Sequence, residues 1–138
     1  MSRQIQKFMI GIKGFIIDHN KLLLVKSGNG REELWEVPGG RYDVGEEMLS
    51  TEEILSREIR EELGGDFTFR IHRASQAFIR PLGSDFVFLL AFECEYLGGK
   101  IQLSQEHTDF QWVNKNDWQD LPLAPGYRDA LDHFWKNR

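Results

Sequence analysis

Cysteine is almost missing from this chain: Cys94 is the only one. No disulfide can form within it, and a reducing cytoplasm is the expected setting. Long apolar runs are missing too, none approaching the roughly 18 residues of a membrane span, and the N-terminus lacks a secretory leader pattern. Positive charge is in deficit, with 17 Lys and Arg against 22 Asp and Glu and a net charge of −5. That balance argues against a nucleic-acid backbone as partner. It also means that an anionic phosphate would be repelled unless a bound cation reversed the local field. Repeats, low-complexity tracts and linkers are absent. With 138 residues, 41% hydrophobic and 28% charged, the chain has the size and composition of one globular domain spanning residues 1–138.

What the chain does have is a concentration of acids in one stretch, Leu34 to Gly65. A strand-like segment, Leu34 to Val37, meets a Pro38-Gly39-Gly40 turn, and a loop leads into a helical pattern. Ser50 or Thr51 suits the N-cap, and Ser50-Thr51-Glu52-Glu53 fits a capping box. Ile54, Leu55, Ile59 and Leu63 recur at helical spacing, and Gly64 suits the left-handed position that ends a helix. The pattern predicts a helix from about Thr51 to Leu63. On it, Glu58 lies three and four residues from Glu61 and Glu62, which puts all three on one side with Cβ atoms roughly 5–6 Å apart.

That arrangement is poor for stability, because like charges repel and the last helical turn favours cations. Each mismatch costs only a few tenths of a kcal/mol when exposed, so a solvated acidic face partly neutralised by Arg57 and Arg60 is one reading. A hard divalent cation such as Mg²⁺, which takes oxygen ligands and keeps room for phosphates, is the other. The Gly39-Gly40 backbone favours the second, since a main-chain carbonyl there can approach whatever the helix holds.

These residues resemble the signature of the Nudix hydrolases: a Gly, five residues, a Glu, seven residues, then Arg-Glu-apolar-x-Glu-Glu-x-Gly-apolar. Gly40 and Glu46 have the right separation, Arg57 to Gly64 matches the second half, and Trp35-Glu36-Val37-Pro38-Gly39-Gly40 is similar to what usually precedes it. Two departures stand out. Ten residues rather than seven separate Glu46 from Arg57, and Gly65 replaces the apolar residue. The helix keeps its phase, so the extra residues fall in the loop near Glu47 to Ser50 and put the position of Glu46 in question.

The resemblance implies an α/β (α+β) sandwich with a mixed sheet between helices. It implies Mg²⁺ or Mn²⁺ held by Glu58, Glu61, Glu62 and the Gly39 carbonyl, with Arg57 orienting the loop and the carboxylates. It further implies cleavage of a small-molecule nucleoside diphosphate derivative by an activated water. A Glu before a late strand often completes such sites, and Glu106 matches best, with Asp109 second. Pro81 lies where ADP-ribose pyrophosphatases carry a marker proline, although a turn explains a proline equally well. A nucleoside triphosphate remains an equal candidate substrate. A silent binding module of the same fold is the alternative function. An isopentenyl diphosphate isomerase lacks a supporting Cys and Glu arrangement here.

The rest of the chain supplies mostly scaffold. Phe8 to Ile17 and Lys21 to Lys26 read as strands around an Asp18-His19-Asn20 turn, with Gly11 and Gly14 marking packing or a close ligand approach. Phe67 to Ile79 and Asp85 to Tyr96 read as long strands joined by Arg80 to Ser84, the second covered on both faces over Phe86 to Phe92. Ile101 to Leu103 and Phe110 to Val113 read as short strands. A last helix carries Tyr127, Leu131, Phe134 and Trp135. Trp35 is a candidate pocket wall, though such a residue is usually core. Arg31 and Arg80 are candidates for a phosphate, though solvated arginines are the ordinary reading. His72 receives no catalytic role. Nothing decides between monomer and homodimer.

Overall fold

Two strands that start together and then part set the architecture. The computed structural model describes residues 2–28, 32–136 and 138. Its elements are β1 (Met9–Asp18), β2 (Lys21–Ser27), β3 (Trp35–Glu36), β4 (Gly39–Arg41), α1 (Thr51–Leu63), β5 (Thr68–Leu82), β6 (Asp85–Gly98), β7 (His107–Val113) and α2 (Tyr127–Lys136). β1 and β2 are joined through His19 and Asn20, both at positive φ, as a two-residue hairpin turn demands. They pair only beside that turn, at Ile17↔Leu22 and Asp18↔Lys21. Further along, β1 takes β4 as antiparallel partner and β2 takes β7. The fork between the two limbs is where the glycine turn lies.

The sheet runs β3-β2-β1-β6-β5, with β4 and β7 attached to β1 and β2. β1 and β6 are parallel and the other pairs antiparallel, so the sheet is mixed. Each face carries a core. One joins Phe15, Leu22, Leu24, Val87, Leu89 and Ala91 to Tyr127, Leu131, Phe134 and Trp135 of α2. The other joins Ile12, Ile16, Leu23 and Val25 to Ile54, Leu55, Ile59 and Leu63 of α1. Burial on both faces explains why β2 reads Leu-Leu-Leu-Val without alternation. Cys94 belongs to the α1 core, where burial pushes its thiol up to about 12. Among the described residues no helix is long and apolar enough to cross a membrane.

The helix α1 has the predicted limits, and its start is the predicted capping box. The Ser50 hydroxyl accepts from the Glu53 N–H at 3.1 Å and the Glu53 carboxylate accepts from the Ser50 N–H at 3.3 Å. Gly64 has positive φ but an extended ψ (93°, 161°), so the chain leaves the helix without the left-handed helical turn expected. Gly11 and Gly14 serve packing: a Cβ at Gly11 would lie 2.6 Å from Leu89, and one at Gly14 3.2 Å from Ile59.

Three expectations are corrected. β5 continues through Arg80, Pro81 and Leu82, leaving only Gly83-Ser84 as the turn. Pro81 is tolerated because β5 is an edge strand and a missing donor costs least there. Phe86 and Phe88 are exposed rather than covered, and both rings lie against that of Phe8. Ile101 to Leu103 is not a strand; it docks on the end of α1. Replacing Ser50 with Ala removes one half of the capping box and should cost about 1 kcal/mol. A thermal melt should then show a midpoint about 4 °C lower.

Candidate active site

The end of α1, the glycine turn and the loop before β7 meet at the fork. The last carbonyls of a helix lack intrahelical partners, and here the loop supplies them. The Gln102 N–H donates to the Leu63 carbonyl at 2.9 Å and the Ser104 N–H to the Glu62 carbonyl at 3.1 Å. The Gly28 N–H, at the end of β2, donates to the Glu106 carbonyl at 3.1 Å. These bonds bring Glu106 and His107 to the carboxylates of the helix.

Arg57 organises the open side. Its guanidinium lies 2.7 Å from Glu46, 3.3 Å from Glu58 and 3.6 Å from Glu61. The longer loop therefore leaves Glu46 in reach of Arg57, and the Glu46 carboxylate also accepts from the Asp43 N–H at 2.8 Å. Glu58 lies against Gly40 so closely that a Cβ there would stand 2.3 Å from its carboxyl carbon. Glu61 is the most open of the three helical acids, its side chain 58% exposed. Glu62 turns the other way. It is 2% exposed, accepts from the Gly39 N–H at 3.0 Å and has His107 Nε2 at 3.4 Å.

Burial raises the pKa of Glu58; Arg57 opposes this, while Glu61 and Glu106 add to it. Burial raises that of Glu62 further, against the pull of Lys13. Glu106 is exposed but near enough to Glu58 to be felt electrostatically. Asp109 lies within β7 rather than in the loop, exposed, with its carboxylate on the Phe110 N–H.

Below the turn is a buried charge pair that the sequence reading missed. Lys13 Nζ sits 2.8 Å from Glu36, with both side chains about a tenth exposed, and approaches the carbonyls of Val37 and Gly39 at 3.3 and 3.4 Å. Burial alone would lower the Lys13 pKa, but Glu36 beside it, with Tyr127 and Glu62, raises it overall. Glu36 is correspondingly lowered, its burial outweighed by Lys13. One signal was available: Lys13 is the only charged residue in the apolar run from Phe8 to Ile17. Arg80 joins this pair at 3.5 Å from Glu36. Trp35 is core, 6% exposed, with Lys26 over its ring at 5.7 Å. Arg31 lies outside the described residues.

Among the described residues no three His, Cys, Asp or Glu side chains come together closely enough to hold a metal ion. The helical acids form no closed cage: Glu58 and Glu61 face the open side, while Glu62 is engaged by Gly39 and His107. Mg²⁺ characteristically uses one or two carboxylates and completes its shell with water and phosphate oxygens. The donor set fits an ion shared with a phosphate substrate. It does not fit an all-protein centre.

The raised Glu62 pKa carries a sign. An acid whose pKa is higher in the folded state contributes stability below its unfolded value, and that contribution is lost as pH rises towards the folded value. With a chelator present, the wild type should therefore lose stability relative to Glu62→Gln as pH rises from about 4, the unfolded-state value, towards neutrality. Melting curves across that range measure it.

Known proteins resemble this chain over nearly its whole length. A family model described as NUDIX domain matches residues 7–134. The chain is 32% identical over 130 residues to the uncharacterized Nudix hydrolase YvcI of Bacillus subtilis (strain 168), covering 88% of this chain and 75% of that one. It is 30% identical over 129 residues to a CTP pyrophosphohydrolase of Escherichia coli (strain K12), covering 91% of each. Among solved structures, a MutT protein from Methanosarcina mazei Go1 superposes with a TM-score of 0.83 at 22% identity, covering 98% of both chains, a likeness of fold. A mixed sheet between two helices, a glycine turn lying on the acids of α1 and a family match across nearly the whole length lead to one conclusion: this chain belongs to the NUDIX family.

Proposed function

We propose that this nucleotide pyrophosphohydrolase cleaves the phosphoanhydride of a nucleoside triphosphate, with Mg²⁺ or Mn²⁺ bound at the mouth of the fork. The observation that carries this reading is the set of acids around Glu58. Glu46, Glu58 and Glu61 share the single guanidinium of Arg57, and Glu106 adds to the charge felt by Glu58. Among the described residues these four carboxylates outnumber the two cations that Glu58 feels, Arg57 and Lys13, in a protein whose net charge is already −5. A polyphosphate could not approach such a place without added positive charge. The nucleoside triphosphate is preferred because a relative of matching length is named a CTP pyrophosphohydrolase. A less similar solved structure is described as an ADP-ribose pyrophosphatase, which keeps ADP-ribose as the second substrate to test.

In this reading Glu58 and Glu61 offer oxygen ligands from the open side, and Arg57 fixes the direction of both. Glu62 backs the Gly39 N–H and holds the turn against the helix. The Gly39 carbonyl, assigned to the cation by resemblance, is the donor that the turn adds. When bound, the cation neutralises the diphosphate and acidifies a water. Phosphoryl substitution asks the protein chiefly for positioning and charge stabilisation. Glu106, exposed and held by none of the described arginines, is the carboxylate best placed to accept the proton of the attacking water.

The test is a panel of nucleoside triphosphates with ADP-ribose, assayed for pyrophosphate or phosphate release with Mg²⁺, Mn²⁺ and chelator. Cation-dependent turnover of CTP or a related triphosphate is expected. Glu58→Gln and Glu62→Gln should each lower kcat on the order of 100-fold or more while circular dichroism stays unchanged. No turnover of any member with either cation would leave a silent binding module instead.

A further inference from the structure

Lys13 occupies a position where an apolar side chain would be the ordinary choice. Strand alternation puts it on the face of Phe15, which is fully buried in the core under α2. Lysine carries a strongly hydrated point charge, so sinking it there is costly unless its partners are well placed. The groups its ammonium hydrogen-bonds come from one short segment, the Glu36 carboxylate at 2.8 Å and the carbonyls of Val37 and Gly39 at 3.3 and 3.4 Å, while Tyr127 at the start of α2 and Glu62 on α1 act on it electrostatically. The same segment lies directly on the backbone of β1. The Gly14 N–H donates to the Pro38 carbonyl at 2.9 Å. Gly39, at a φ of +142°, sits so tightly on the strand that a Cβ would meet the Ile12 carbonyl at 2.1 Å and the Lys13 Cα at 2.7 Å. On its other side Gly39 donates its N–H to Glu62.

We propose that Lys13 is a positioning residue of the active site: its ammonium, anchored by Glu36, fixes the Val37 and Gly39 carbonyls on either side of the Pro38–Gly39 peptide, and through the N–H of that enclosed peptide the carboxylate of Glu62. A buried ion pair adds little net stability compared with apolar residues of the same size. What it supplies is direction, because the ammonium draws two carbonyls of the turn towards one point. A methionine in its place would fill the same volume and leave those carbonyls unaligned. This inference rests on the hydrolase reading of the site, but its structural half can be tested without turnover.

The experiment compares the wild type with Lys13→Met/Glu36→Gln, in which both charges of the pair are removed together so that neither is left buried alone. Without cation or substrate, the amide resonances of Gly39 and Gly40 should shift or split in a ¹H–¹⁵N spectrum, while those of α2 from Leu131 onward, beyond the turn that carries Tyr127, stay in place. With substrate and Mg²⁺, kcat should fall roughly 100-fold, as misplacement by about 1 Å can produce, with KM changed less than about threefold. If the double variant melts well below the wild type, Lys13→Gln carries the same two readouts, and its retained donor should restore part of kcat. A stable double variant with unmoved Gly39 and Gly40 resonances and wild-type kcat would overturn the proposal and make Lys13 a core filler. A wild type inactive on every nucleotide would instead defeat the hydrolase reading, and the resonances would still decide whether Lys13 fixes the turn.

Discussion

The bond from the Gly39 N–H to the Glu62 carboxylate is the contact on which the rest of the site depends. A carboxylate buried at the C-terminal end of a helix faces two penalties, the loss of water and the negative end of the macrodipole. The protein answers from three directions: the N–H donor of the turn below, the His107 ring at 3.4 Å beside it and the charge of Lys13 beyond. Each of these comes from a different element, so holding Glu62 also holds β1, β4, α1 and β7 at one point. The glycines follow from this. Only residues without a Cβ let the turn lie on β1 at Gly39 and against Glu58 at Gly40.

The same packing divides labour among acids that look alike in sequence. Glu58, Glu61 and Glu62 are consecutive members of one pattern, yet one lies on a glycine, one faces solvent and one is enclosed. Helical spacing places the three Cβ atoms on a common side. The direction of each side chain is then set by what it meets, and Arg57 and Gly39 stand on different sides of the helix end. Arg57 holds Glu46 as well, so the lengthened loop remains attached to the site through one guanidinium.

Much of the scaffold could be read from local chemistry. α1 was legible because its start, its apolar stripe and its terminal glycine agree, and the hairpin between β1 and β2 because Asp18-His19-Asn20 interrupts two apolar runs. The errors have equally local causes. Phe86 and Phe88 look like core in an apolar run, but α1 does not cover them and they pack on Phe8 instead. Ile101 to Leu103 has strand composition, yet its backbone is committed to the unpaired carbonyls of α1. Spacing alone put the three helical acids on one side, but it did not give their orientation, and Glu106 was reached only through the resemblance. Lys13, Glu36 and His107 escaped notice because their partners lie far along the chain, at separations that no short motif records.

The fork between β1 and β2 gives the two walls of the site different origins. One wall, from Gly39 to Glu62, is drawn from neighbouring sequence and closes over a short span of chain. The other is delivered by the pairing of Ser27 with His107, across most of the intervening fold. Closure entropy rises with the length of chain enclosed, and contacts between distant residues tend to form slowly. The wall bearing Glu106 and His107 is thus the one whose assembly leans most on the completed sheet and least on its own sequence.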